Sequence, residues 1–326
     1  MDSWLTDDWS KISGDPAKLM PLGVGPGKGV PGGASLTFKE GFGAMWLWPL
    51  SLVPCWGTDA PIIGILSVPA GAGCETANGG SCFASLYTKY VEAAGGRVVP
   101  LLYDWSPEQL ERSWRQVNGV LFTGGGVDLG GGSPSARQYL RAAGLLFNLT
   151  KSVDDVPLWG TCMGLQTLAV LAAPGVLETN AYDSEDLSLP LEFTEAAQSS
   201  RLFGAMPEKL KHWLSSENLT SNLHHDGVPP RAFQGQLSKT YRMLASNRDR
   251  RGRAFASVIE GTRWPIYGVQ FHPERPIFSW IQGEGINHSA HAIEAMQYFA
   301  NFFVSEARGN AHHFESKDHL SVAFRV

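Results

Sequence analysis

A chain of 326 residues is long enough to bury one large α/β core or two small ones. Its 43% hydrophobic and 17% charged residues fit a globular protein, and a net charge of −5 with scattered Lys and Arg gives no reason to expect nucleic acid. Four cysteines, at 55, 74, 82 and 162, are too few for a disulfide scaffold, and no Cys/His spacing suggests a metal site.

The segment 1–58 reads as disordered or leader-like. As far as Lys39 it is rich in Gly and Pro without apolar periodicity. The apolar run 43-GAMWLWPLSLVPCW-56 is too short to span a bilayer, so no membrane span is expected. It has the length of a signal-peptide core but is not N-terminal. An atypical leader and a hydrophobic segment packed on the domain both fit it.

From Pro61 the pattern becomes regular. PIIGILSV over 61–68 predicts a strand followed by a Gly-rich loop. Cys74 and Cys82 lie close together in that loop and are candidates to bridge in an oxidising compartment, which spacing alone does not decide. Helical spacing over 82–96 ends on Gly95-Gly96, a strand is expected at 97–102, and Ser106-Pro107 opens a helix over 106–117. A third strand at 118–122 runs into 123-TGGGVDLGGGSP-134, a helix covers 134–149, and a fourth strand at 156–160 leads through Cys162 into a helix reaching Ala172. Strands that are almost wholly apolar and alternate with helices imply a mostly parallel central sheet flanked by helices on both faces, an α/β fold.

Residues 191–271 read as an antiparallel extension, with 240–247, 254–261 and 265–271 spaced like a meander. Between two of these, 248-RDRRGR-253 suits a solvated hairpin tip better than a polyanion site. An amphipathic helix is expected over 289–308. Sequons at Asn148, Asn218 and Asn287 lean gently towards the secretory pathway.

In an open parallel sheet reactive groups gather at the carboxyl ends of the strands. Cys162 falls there in the frame Gly160-Thr161-Cys162-Met163-Gly164, a sharp strand-to-helix turn that displays its central side chain, with a helix N-terminus aimed at the sulfur. A nucleophile needs a base. His272 stands where 267-YGVQFHPE-274 is turned by Pro273, and Glu274 is placed to accept from its ring. An oxyanion needs two backbone donors, for which Met163 and either Gly125 or Gly126 are the candidates.

Together WGTCMGLQ, YGVQFHPE and GVLFTGGG resemble class I glutamine amidotransferase-like hydrolases. PIIGIL, YTKYVEAAGGRVVPLLYD, 223-LHHDGVPP-230 and the closing FFVSEARGNAHHF narrow the resemblance to the γ-glutamyl hydrolase (folylpolyglutamate hydrolase) family. The resemblance implies one such domain over 59–316 with a tail at 317–326. It also implies cofactor-free cleavage of γ-linked glutamates from folate poly-γ-glutamates through a thioester. In that scheme Cys162 is the nucleophile, His272 the general base and acid, and Glu274 the residue that orients His272. His224, in preference to His225, matches a second active-site histidine of the family. The family's compartments are the vacuole or lysosome and the extracellular space, and a homodimer is one expectation for its assembly. Two positions depart from the family: Gln166 stands where Glu is usual, and Cys82 where Tyr is usual. Both fall where substrate is expected to be read, with Gln166 the substrate-contact candidate. Another γ-glutamyl amide, of the γ-glutamyl-GABA type, and a glutaminase subunit therefore stay open as alternatives. A catalytically idle binding protein has no chemical need for Cys162, His272 and Glu274 together.

Overall fold

The computed structural model describes residues 57–76 and 80–314. The expected disordered start, the apolar run at 43–56 and the tail at 317–326 lie outside the described residues. Residues 57 and 58 already belong to the folded unit, since the Thr58 N–H donates to Arg308 O at 3.0 Å.

The first half of the chain forms β1 (Ile62–Leu66), β2 (Val68–Pro69), β3 (Ser81–Cys82), α1 (Ser85–Ala93), β4 (Arg97–Leu101), α2 (Pro107–Trp114), β5 (Gly119–Phe122), α3 (Pro134–Ser152), β6 (Leu158–Thr161) and α4 (Met163–Ala172). The second half adds β7 (Ser184–Leu189), β8 (Glu192–Phe193), α5 (Arg201–Gly204), α6 (Glu208–Ser216), β9 (Thr220–His224), β10 (Tyr241–Arg248), β11 (Ala254–Gly261), β12 (Ile266–Val269), α7 (Arg275–Phe278) and α8 (Ala290–Ala307).

One eight-stranded sheet runs in the order β4-β1-β5-β6-β12-β11-β10-β8. Its strands are parallel from β4 to β12 and antiparallel from there to β8. This is the expected mostly parallel sheet with an antiparallel extension. Alternate strand residues feed two cores. Ile62, Leu66, Val120, Phe122, Leu158 and Ile266 face α2, α3 and α4, while Ile63, Ile65, Leu121, Trp159, Tyr267 and Val269 face α1, α5, α6 and α8. With helices on both faces the central strands have no polar side, which is why they read as continuous apolar runs.

Two local expectations change, and one hairpin is unforeseen. The sequence places 265–271 wholly in an antiparallel meander, yet β12 pairs antiparallel with β11 on one edge and parallel with β6 on the other. All four of its residues are buried, as befits a strand that joins the two halves of a sheet. The helix expected from residue 82 begins at Ser85, because Ser81 and Cys82 pair with Pro69 and Val68 instead. The hairpin of β7 with β9, which carries His224, has no clear sequence signal: its two strands are 31 to 40 residues apart by register. At the other end of the meander, 248–253 is the hairpin tip expected. Asp249 ties it together by accepting from the backbone of Asp183, Arg251 and Arg253. Among the described residues no helix is long and apolar enough to cross a membrane.

Candidate active site

Cys162 links β6 directly to α4. Its backbone sits at φ 52°, ψ −109°, a region that a non-glycine residue occupies only when the surroundings force it. The forcing is visible: the Cys162 N–H donates to Val269 O at 2.7 Å, clamping the turn to β12. The side chain is 4% exposed. Its sulfur lies 3.9 Å from Leu223 O and 3.6 Å from the Gln270 amide nitrogen.

His272 follows β12, and its own N–H is held by Ser221 O of β9 at 2.8 Å. Its Nδ1 lies 2.7 Å from Glu274 Oε1, with both residues buried, and the ring interacts electrostatically with Cys162. Burial alone would push the imidazole down. The charges of Glu274 and then Cys162, with the hydrogen bond to Glu274, outweigh it and carry His272 up to about 10. A base that keeps its proton beside a sulfur, steered by a carboxylate, is the arrangement that moves a proton between thiol and leaving group.

The loop after β5 closes the third side. A Cβ on Gly124 would lie 2.6 Å from Tyr87 Oη, 2.7 Å from His272 Cε1 and 3.4 Å from Cys162 Cβ, so this backbone passes directly over the site. The Gly124 N–H donates to Tyr87 Oη at 2.8 Å. The Gly126 N–H, one of the expected oxyanion donors, is already spent on Ala72 O at 3.1 Å. That leaves Gly125, whose N–H makes no hydrogen bond among the described residues and whose φ of 156° lets its backbone pass Ala72 O. The Met163 N–H, at the first position of α4, has no partner within the helix.

Ala72 lies in the loop joining β2 to β3, two residues before a disulfide-bonded cysteine. Cys74 and Cys82 are bonded, with Cα atoms 5.9 Å apart. The sulfur of Cys82 is therefore committed to Cys74, which removes it as a group that reads substrate. Replacing both cysteines by serine is expected to lower stability by about 2–3 kcal/mol, since the bridge closes a short loop. Because Ala72 beside that loop supports Gly126, kcat is expected to fall several-fold as well; urea unfolding and initial rates check the two effects separately.

His224 and His225 take opposite directions. His225 is exposed, with Nδ1 near Tyr182 O at 3.1 Å. His224 is buried among Tyr182 and Phe255, its Nδ1 is 2.8 Å from Asp226 O, and its Nε2 has no partner. A carbonyl only accepts, so Nδ1 carries the proton and Nε2 presents a bare lone pair. Burial, only partly opposed by the bond to Asp226 and reinforced by the charge of His272, lowers His224 to about 3. Its folded value lies below the ordinary 6.5, so its contribution is present above that pH and is lost as pH falls towards 3. His224→Gln is expected to flatten the acid side of the stability profile, measured as urea midpoints between pH 3.5 and 7.

Gln166, one turn along α4, is buried and donates to Asp226 O at 2.9 Å and to Gln270 Oε1 at 3.3 Å. Two groups at the site escaped the sequence reading. Tyr87 sits in the YTKY stretch, where aromatic residues at helical spacing look like core. Gln270 had one available signal: it is the polar residue in an otherwise apolar strand end. Among the described residues no cluster of His, Cys, Asp and Glu is placed to hold a metal ion.

A parallel sheet with a cysteine elbow facing a histidine–glutamate pair places the protein among the α/β cysteine hydrolases. Residues 61–274 match the sequence model of Peptidase C26. The chain is 35% identical over 268 residues to γ-glutamyl hydrolase B of Dictyostelium discoideum, covering 80% of this chain and 76% of that one. It is 38% identical over 277 residues to γ-glutamyl hydrolase of Mus musculus (82% and 85% covered) and 38% over 263 residues to that of Homo sapiens (79% and 80%). The chain belongs to the Peptidase C26 family.

Proposed function

We propose that this protein hydrolyses γ-glutamyl bonds of folate poly-γ-glutamates. The observation that carries the reading is the His272–Glu274 pair, joined at 2.7 Å and set against the strained elbow of Cys162. Cys162 Sγ attacks the γ-carbonyl carbon, and the oxyanion is received by the N–H groups of Met163 and Gly125. As the tetrahedral adduct collapses, His272 gives its proton to the departing amine and a γ-glutamyl thioester remains. His272 then takes a proton from an incoming water, whose oxygen displaces sulfur and leaves a free γ-carboxylate. Glu274 holds the ring in one orientation throughout. The neutral His224, with its Nε2 lone pair unpartnered, is suited to accept a hydrogen bond from a substrate N–H.

The identity to proteins named γ-glutamyl hydrolase supports the bond cleaved, and the Cys74–Cys82 disulfide supports an oxidising setting such as the vacuole, the lysosome or the extracellular space. Incubation with pteroylpentaglutamate, γ-glutamyl-GABA and glutamine, following glutamate and ammonia release, tests the substrate. Glutamate release from the first is expected. Turnover of only the second or third overturns the folate reading.

A further inference from the structure

Gln270 is fully buried just beyond β12. Its amide nitrogen lies 3.6 Å from Cys162 Sγ, and its amide oxygen accepts from Gln166 Nε2 at 3.3 Å. Gln166 Nε2 also donates to Asp226 O at 2.9 Å. A backbone carbonyl can only accept, so this last bond fixes which end of the Gln166 side chain is the NH2 group. What faces Gln270 is then a donor. Gln270 must turn its oxygen to it, and its own NH2 is left pointing at sulfur. The polarity of the row is set from Asp226 O through to Cys162 Sγ.

We propose that Gln270 donates a hydrogen bond to the Cys162 thiolate, and that Gln166 is the positioning residue that holds the Gln270 amide in that orientation. The inference rests on the reading of Cys162 as nucleophile. A neutral donor stabilises the thiolate without adding charge to a crowded site. The titratable and charged groups already around the sulfur and its His272–Glu274 pair are Tyr87 from α1, His224 from β9 and Arg275 from α7, whose charge is shared with Glu284 at 2.8 Å. Tyr87 stays protonated, held well above its usual range by burial and by the charges of Glu274 and Cys162.

The same row says what a carboxylate at position 166 does. An ionised Gln166→Glu side chain has no N–H for Asp226 O or for Gln270 Oε1. The Gln270 amide then rotates to give its NH2 to the carboxylate, and its oxygen turns to the sulfur, where it repels the thiolate. The departure from the usual Glu at this position therefore bears on the nucleophile.

The test is the pH dependence of Cys162 alkylation by iodoacetamide, read at residue 162 by peptide mapping, in the full-length protein. Gln270→Leu is expected to lower the alkylation rate near pH 6 by about tenfold, as removing a hydrogen bond to a charged group does, while the rate at high pH is kept. Gln166→Glu is expected to act in the same direction, with kcat falling more than KM rises. Gln166→Met, which removes the donors but leaves Gln270 in place, guards against a folding failure of the first variant and is expected to give a smaller shift of the same sign. Alkylation profiles of folded variants that superimpose on the wild-type curve overturn the proposal. Failure of the nucleophile reading shows differently, as full glutamate release by Cys162→Ala.

Discussion

Cys162→Ala is expected to lower the rate of glutamate release from pteroylpentaglutamate by roughly 10⁴-fold or more, with a melting temperature within a few degrees of wild type. No other described thiol is free, since Cys74 and Cys82 are bonded to each other. The elbow is clamped by backbone bonds, which alanine keeps. His272→Asn is expected to match the loss, because sulfur without its proton partner neither forms nor releases the thioester efficiently. The two variants separate in their stability profiles. In the folded state His272 holds its proton up to about 10, against an ordinary 6.5. Its favourable contribution is therefore complete below about pH 6.5 and disappears as pH rises towards 10. His272→Asn should lose that alkaline slope. Retention of more than a hundredth of the wild-type rate in Cys162→Ala would remove the sulfur from the mechanism.

Gly164→Ala is expected to be among the most disruptive methyl additions at the described glycines. A Cβ at Gly164 would overlap Phe122 O and approach Phe122 C to 2.9 Å. Both are backbone atoms of β5, so neither can rotate away. Helix α4 must lift from the sheet, taking with it the Met163 N–H and the turn at Cys162. A loss of about 2–4 kcal/mol in unfolding free energy is expected, together with a fall in kcat of about a hundredfold in whatever protein remains folded. Gly144→Ala on α3 is the matched control. Its Cβ would meet Leu171 Cδ2 at an ordinary 3.5 Å, and the change should leave stability unaltered or slightly improved. Equal melting temperatures for Gly164→Ala and wild type would show that α4 has more room than its backbone contacts indicate.

Much of the parallel half is legible in advance because burial on both faces forces a distinctive pattern. IIGIL and GVLF carry no polar side chain and LWGT only Thr161, and each is followed by a small residue where the chain must turn. Cys162, His272 and Glu274 stand out for the same reason: chemistry-bearing groups set just past apolar strands are conspicuous. What escapes the sequence is anything decided by a distant partner. Gly125 and Gly126 look alike until Ala72 O takes the N–H of one of them. The bridge between Cys74 and Cys82 needs the β2–β3 pairing to bring their backbones together. His224 and His225 are adjacent and chemically identical. The family resemblance alone favours His224 from sequence; the hairpin with β7 and the carbonyl of Asp226 are what turn it inward.

The position of β12 between the two halves of the sheet has a consequence for how the protein comes to life. Gln270, beside His272, lies 108 residues downstream of Cys162. During synthesis β6 and its elbow leave the ribosome long before the strand that pins them. Until β12 closes that long loop, Cys162 lacks the Val269 carbonyl that fixes its backbone and the imidazole proposed to handle its proton. A nascent or partly refolded chain therefore carries the thiol without the groups that surround it in the folded protein. In refolding experiments hydrolytic activity should return together with the last long-range strand pairing, later than helix content measured by circular dichroism.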